Sequence, residues 1–179
     1  MTGPNDDKTL SRRTPVNDAY QTCERTCAKL LIYPGEMHPS RVTELLGVSP
    51  TRQVVAGEVS PPNSLGRKRV GKINGWFLSS EGHVESKDVR RHLDWLLAKL
   101  QPISEALRQL QSRPSLRMYV HCVWWSRYGD GGPVLSPEQM RALAALNLEC
   151  AFDFSYYGAE ESDECDQSVL PPVSGPIFK

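Results

Sequence analysis

The chain has 179 residues, 39% of them hydrophobic, and 21 basic against 21 acidic side chains give it a formal net charge of zero. That length suits one domain with tails better than two domains. Neutrality argues against a dedicated DNA or RNA binder, which needs a basic footprint on the phosphates, and no apolar run approaches the ~18 residues of a membrane-spanning helix.

The apolar content is concentrated in residues 27–158, which read as a single domain. Residues 1–26 read as a flexible N-terminal tail, with little apolar content beyond Leu10, Val16 and Tyr20 in its first part. Residues 159–179 read as an acidic, proline-containing C-terminal tail, opening with Glu160, Glu161, Asp163, Glu164 and Asp166. Both have too little apolar surface to offset the chain entropy of folding. The first thirty residues lack the apolar core of a secretory signal. Cys23, Cys27, Cys122, Cys150 and Cys165 are an odd set without framework spacing, which fits a reducing compartment; the expected location is the cytoplasm.

In chain order, residues 28–33 form a short apolar run ended by Pro34 and Gly35, the pattern of a buried strand. Pro39 suits a first helical position and Gly47 the left-handed residue after the last turn, so residues 39–46 predict a short helix. Its apolar face is Val42, Leu45 and Leu46. Residues 53–59 read as a strand by their valines, residues 60–71 as a loop carrying Arg67, Lys68 and Arg69, and residues 72–80 as a second strand. Within it Gly75 signals a bulge or a close approach, and alternation puts Trp76 and Leu78 opposite Phe77. The strongest period runs through residues 86–111, where Val89, Leu93, Leu96, Leu97, Leu100, Ile103, Leu107 and Leu110 make one helical stripe. Ser86 suits the N-cap and Pro102 should kink or split the helix near Leu100. Residues 116–125 alternate as a strand with Leu116, Met118, Val120, Cys122 and Trp124 inward. Ser136, Pro137 and Gln139 form a capping box opening a helix that Asn147 can close. Residues 149–157 read as a last strand with Cys150, Phe152, Phe154 and Tyr156 on its core face.

The order β-α-β-β-α-β-α-β predicts an α+β fold: a ferredoxin-like mixed or antiparallel sheet with helices packed mainly on one face. The segment Leu45-Leu46-Gly47-Val48-Ser49-Pro50-Thr51, Gly75-Trp76 opening a strand, a long leucine-rich helix and Leu135-Ser136-Pro137-Glu138 before a final strand resemble, in order and spacing, the bacterial domain-of-unknown-function family 4279. The resemblance spans most of residues 28–158 and implies a soluble bacterial α+β domain. It carries no catalytic residues onto this chain.

The residues themselves offer little chemistry. Cys23 and Cys27 could supply two metal ligands, but no second pair follows at zinc spacing. Cys122 and Cys150 fall on core faces, where cysteine behaves as a small apolar residue. Asp153 and His121 would share a face if their strands are neighbours, as an acid–base pair or as a plain ion pair. The glycines at 129, 131 and 132 lack the lysine of a phosphate loop. No catalytic residue, metal or cofactor is therefore expected. What stands out is Tyr119, Trp125 and Tyr128 where alternation predicts less burial, and Arg52, Trp76 and the Arg67-Lys68-Arg69 loop at one end of the sheet. These eight are the candidate binding residues. The leading expectation is a non-catalytic protein-interaction module, of immunity or accessory type, that binds an unidentified protein partner or itself, and neither nucleic acid nor membrane. The alternatives are a small anionic-ligand-binding or regulatory domain, and an enzyme built on Asp153 and His121.

Overall fold

The structure, a computed structural model, describes residues 12–62 and 65–156; the acidic C-terminal stretch lies outside the described residues. Strand β1, Cys23–Tyr33, is longer than its apolar run because the ladder with its neighbour carries it back through polar Glu24 and Arg25. Helix α1, Pro39–Leu46, is capped by the His38 ring and closed by Gly47 at φ 65°. Strand β2 is only Arg52–Val54. The expected continuation to residue 59 fails because Gly57, at φ 81°, turns the chain into an excursion pinned by one bridge, Val59 to Val70. Strand β3 is Gly75–Ser79. Gly75 forms no bulge: the Phe77 ring lies back over it, so a β-carbon there would stand 2.4 Å from the ring.

The long leucine stripe is two helices. Helix α2, Val89–Leu100, ends where Pro102 enforces a 3-10 turn over Gln101–Ile103, and α3 follows as Ser104–Gln111. The N-cap is Asp88, not Ser86; the Ser86 hydroxyl instead accepts from the Asp88 amide at 3.0 Å. Strand β4, Arg117–Ser126, leads to α4, Pro137–Ala145, with the Ser136–Gln139 capping box, and Asn147 at φ 52° turns the chain into β5, Cys150–Tyr156.

The sheet order is β2-β3-β1-β4-β5. Each of the first four strands in this order runs antiparallel to its neighbours among them, and β5 adds to β4 in parallel across α4. The fold is thus α+β with a five-stranded mixed sheet. Ala28, Leu30, Ile32, Trp76, Leu78, Val120 and Cys122 on one face share a core with Val42, Leu93, Leu96, Leu100, Leu107 and Leu143 from the helices. Each such aliphatic side chain contributes about 1.5–3 kcal/mol by leaving water.

The polar segment before β1 is held by hydrogen bonds rather than by apolar burial. Arg90 donates to the Thr14 and Pro15 carbonyls at 2.7 and 2.8 Å, and the Asn17 amide donates to Asp88 at 2.9 Å. Tyr20 then packs edge-on against Trp124, ring centres 5.1 Å apart. Among the described residues, no helix is long and apolar enough to cross a membrane.

Candidate functional site

Two polar clusters at the start of α2 have the composition of catalytic sites, and both are sealed. Ser80 Oγ lies 2.8 Å from His92 Nδ1, and His92 Nε2 lies 2.8 Å from the Ser86 carbonyl. A carbonyl only accepts, so the proton is assigned to Nε2, and Nδ1 accepts from the Ser80 hydroxyl. That hydroxyl in turn accepts from the Ala28 amide at 2.9 Å. Burial pushes the His92 pKa down, against the hydrogen bond to Ser86 and the charge of Asp88, and keeps the ring neutral. Ser80 and His92 are 0% and 2% exposed, so no substrate reaches this serine–histidine pair. It is a strut joining β1, the end of β3 and α2.

The second cluster is the Asp88–Arg90 ion pair, with side chains only 3% and 7% exposed. Asp88 accepts from the Arg90 backbone at 3.1 Å, from Arg90 Nε at 2.9 Å and from Nη2 at 2.6 Å. Gln139 on α4 adds bonds to the Arg90 carbonyl at 2.9 Å and to Asp94 at 2.7 Å. Sequence reading missed both clusters, because a serine, a histidine and an i,i+2 acid–base pair acquire partners only through tertiary contact.

The sequence-derived binding residues separate into four places. Trp76 is a correction: it is 0% exposed, its indole donates to Thr43 Oγ1 at 3.0 Å, and it belongs to the core rather than to any surface. Arg52, Arg67 and Arg69 come together with Lys72, Gln53 and Ser60 in an open groove of about 840 Å³ beside β2; Lys68 is exposed on the same loop but does not line it. Tyr119 and Trp125 lie half-buried on the sheet face opposite the helices, Trp125 with the Arg25 guanidinium 4.8 Å from its ring centre. Tyr128 is 64% exposed just beyond β4.

The least expected feature is β5. Alternation places Cys150, Phe152, Phe154 and Tyr156 together in the core, and the helices cover only the first two. Phe154 and Tyr156 are 61% and 67% exposed. Tyr156 lies alongside Gly129, in the loop that follows Tyr128. Among the described residues β5 pairs with β4 alone, so its other edge presents unpaired backbone groups. Its sequence, CAFDFSY, contains neither lysine nor proline, the residues that usually protect such an edge.

The remaining candidates do not assemble into chemistry. The Cys122 and Cys150 sulfurs are 3.8 Å apart. Their hydrogen bond, with burial, pushes the Cys122 thiol far above the ordinary range. Burial likewise raises Cys23 to about 11, so the Cys122 and Cys23 thiols are protonated at neutral pH, while the same hydrogen bond shifts Cys150 downward against its burial. His121 and Asp153 do share a face, but Asp153 stands opposite Val123 and His121 opposite Ala151. Among the described ion pairs none joins them. No cluster of three potential metal-binding side chains occurs among the described residues.

No curated protein and no solved structure matches the chain. A family profile does match, over residues 22–157, from the start of β1 to the end of β5. The chain therefore belongs to the family described as domain of unknown function (DUF4279).

Proposed function

We propose that this domain is a protein-interaction module that takes an extended segment of a partner protein as an added strand on β5. The observation that carries this reading is an edge strand whose outer side is unpaired among the described residues and which bears two exposed aromatic rings, Phe154 and Tyr156, with Tyr128 nearby. Edge addition satisfies the unpaired backbone groups, and alternate side chains supply specificity. Asp153 and Ser155 face the other way, so a partner segment with apolar residues on one side and a cation opposite Asp153 is complementary. A toxin-neutralising or accessory role is one form such a module takes. The order β2-β3-β1-β4 supports reading the frame as ferredoxin-like with β5 appended. The free thiols at Cys23, Cys27, Cys122 and Cys150 favour a cytoplasmic location.

The test is co-purification of the full chain from its host, beside the variant Phe154→Lys/Tyr156→Lys. A stoichiometric partner bound by the parent and lost by the variant is expected. A partner retained by the variant, or none recovered with the parent, would remove the proposal.

The groove formed by Arg52, Arg67, Arg69 and Lys72 favours a second reading, a small anionic ligand, because Glu58 is the one acidic side chain among its lining residues. A nucleotide or organic phosphate at about 100 times its Kd should add about 2.7 kcal/mol of stability. A thermal-shift panel without any response would end that reading.

A further inference from the structure

Among the described residues no helix covers the sheet face opposite the core, although Cys27 and Val123 on it are buried among their neighbours. None of its side chains belongs to the core cluster, and the helices contribute their buried residues to the other side. Its composition follows from the strand register. Arg52 stands beside Phe77, Phe77 beside Leu31, and Leu31 beside Tyr119. Tyr33 pairs with Arg117, Lys29 with His121 and Arg25 with Trp125. The face is therefore a row of aromatic rings across adjacent central strands, bordered by cations.

The rings form a connected series. Tyr33 lies 5.6 Å from Phe77 and 6.3 Å from Tyr119, centre to centre. All three are half-buried, so each retains surface in water at the middle of the sheet. A residue there with only a structural task would more ordinarily be polar, since one face of an antiparallel sheet can be solvated.

Charge distinguishes the ligand class. The equality of 21 basic and 21 acidic residues is a whole-chain sum and hides how charge is distributed. On this face the cations are Arg25, Lys29, Arg52 and Arg117, and the acids are Glu81 and Asp153. Glu81 is shared between Arg25 and Lys29. Arg52 and Arg117 are exposed and make no ion pair among the described residues. A ligand with flat apolar rings joined by anionic groups satisfies both features. Single-stranded nucleic acid has that chemistry: its bases stack on aromatic side chains while cations meet its phosphates.

We propose that this sheet face binds single-stranded nucleic acid, with bases against Tyr33, Phe77 and Tyr119 and phosphates against Arg52 and Arg117. This surface meets the β5 edge at Asp153 and shares Arg52 with the groove beside β2, but the proposal rests on neither reading above. It reverses the expectation drawn from net charge, because a sum over the whole surface does not report the field on one face.

The experiment is fluorescence anisotropy of the full chain with labelled oligouridylate and oligothymidylate probes of about 12 nucleotides, a length within the usual span of one such platform. Saturable binding is expected, with log Kobs against log salt sloping between about −1.4 and −2.8 for two to four phosphate contacts. A preference between the probes separates RNA from DNA. Tyr119→Ala should weaken binding roughly 5- to 100-fold. Arg52→Glu/Arg117→Glu should abolish it, while Arg108→Glu/Arg141→Glu, the same charge change on the helical side, should retain most of it. All four arginines are exposed, and reversing Arg108 and Arg141 also breaks their surface pairs with Glu105 and Glu138, so both variants should unfold within about 1 kcal/mol of the parent. Absence of saturable binding to either probe would overturn the proposal. Equal weakening by the two charge variants, or indifference to Tyr119→Ala, would overturn it as well, and so would a protein partner found to occupy this face.

Discussion

Replacing Asp88 by alanine removes two things at once. The first is the cap of α2, for which loss of an N-cap side chain costs about 1 kcal/mol. The second is the counter-charge of Arg90, whose side chain is only 7% exposed. Breaking a buried pair from one side costs about 3–5 kcal/mol, because the remaining charge is stranded. The Thr14 and Pro15 carbonyls still accept from the guanidinium, which holds the expectation to about 4 kcal/mol in total. For a domain stable by about 5–15 kcal/mol, that is a large fraction. Urea unfolding at neutral pH should show the midpoint falling by about 2 M at a slope near 2 kcal/mol per molar. The companion variant Asp88→Ser/Arg90→Met keeps a capping hydroxyl and removes both buried charges. It should recover more than half of the loss, since removing the whole ion pair strands no charge, although the Thr14 and Pro15 carbonyls and the Asn17 amide lose their partners to water. A loss under about 1 kcal/mol for Asp88→Ala would show that water relieves the arginine and that the pair is not sealed. A double variant as unstable as the single would show that the carboxylate's shape, not the charge balance, matters.

Three further outcomes are expected. His92 has its pKa lowered by burial, so below its unfolded value of about 6.5 the unfolded chain takes up a proton that the folded chain refuses. Its contribution is complete above that pH and falls as pH drops toward the folded pKa, by at most about 1.4 kcal/mol per pH unit; urea midpoints from pH 7.5 to 5.5 should flatten in His92→Gln. Trp76→Ala should cost about 3–5 kcal/mol, as truncation of a core aromatic does; an unchanged thermal midpoint would contradict its burial. Phe154→Lys/Tyr156→Lys should leave unfolding within about 0.5 kcal/mol of the parent, since both rings are mostly in water; a large loss would mean that the edge is covered by the chain itself.

Capping and periodicity are legible in the sequence, because they depend on residues within a turn or two of each other. Pro39 and Gly47 bound α1, the Ser136–Gln139 box opens α4, and Pro102 interrupts the leucine stripe where the first helix ends. The core faces of β3 and β4 follow from alternation, whereas the apolar run of β1 shows a strand without showing which face is core. The last strand shows where that logic stops: Phe154 continues the same alternation as Phe152, yet one is exposed and the other packs on the core, because helix coverage ends between them. Trp76 fails differently. A tryptophan beside a glycine looks the same in sequence whether it faces solvent or Thr43.

The sequence by itself determined the kind and order of the helices and strands, though not the extent of β1 and β2, since local sterics, caps and the 2.0 and 3.6 residue periods act over a few neighbours. Only the tertiary structure decided that Ser80 meets His92, that Asp88 and Arg90 are buried beneath the N-terminal segment, and that Tyr33, Phe77 and Tyr119 form one row. Strand order and register bring those residues together across long stretches of chain. They are set by how the whole core packs, which no local pattern encodes.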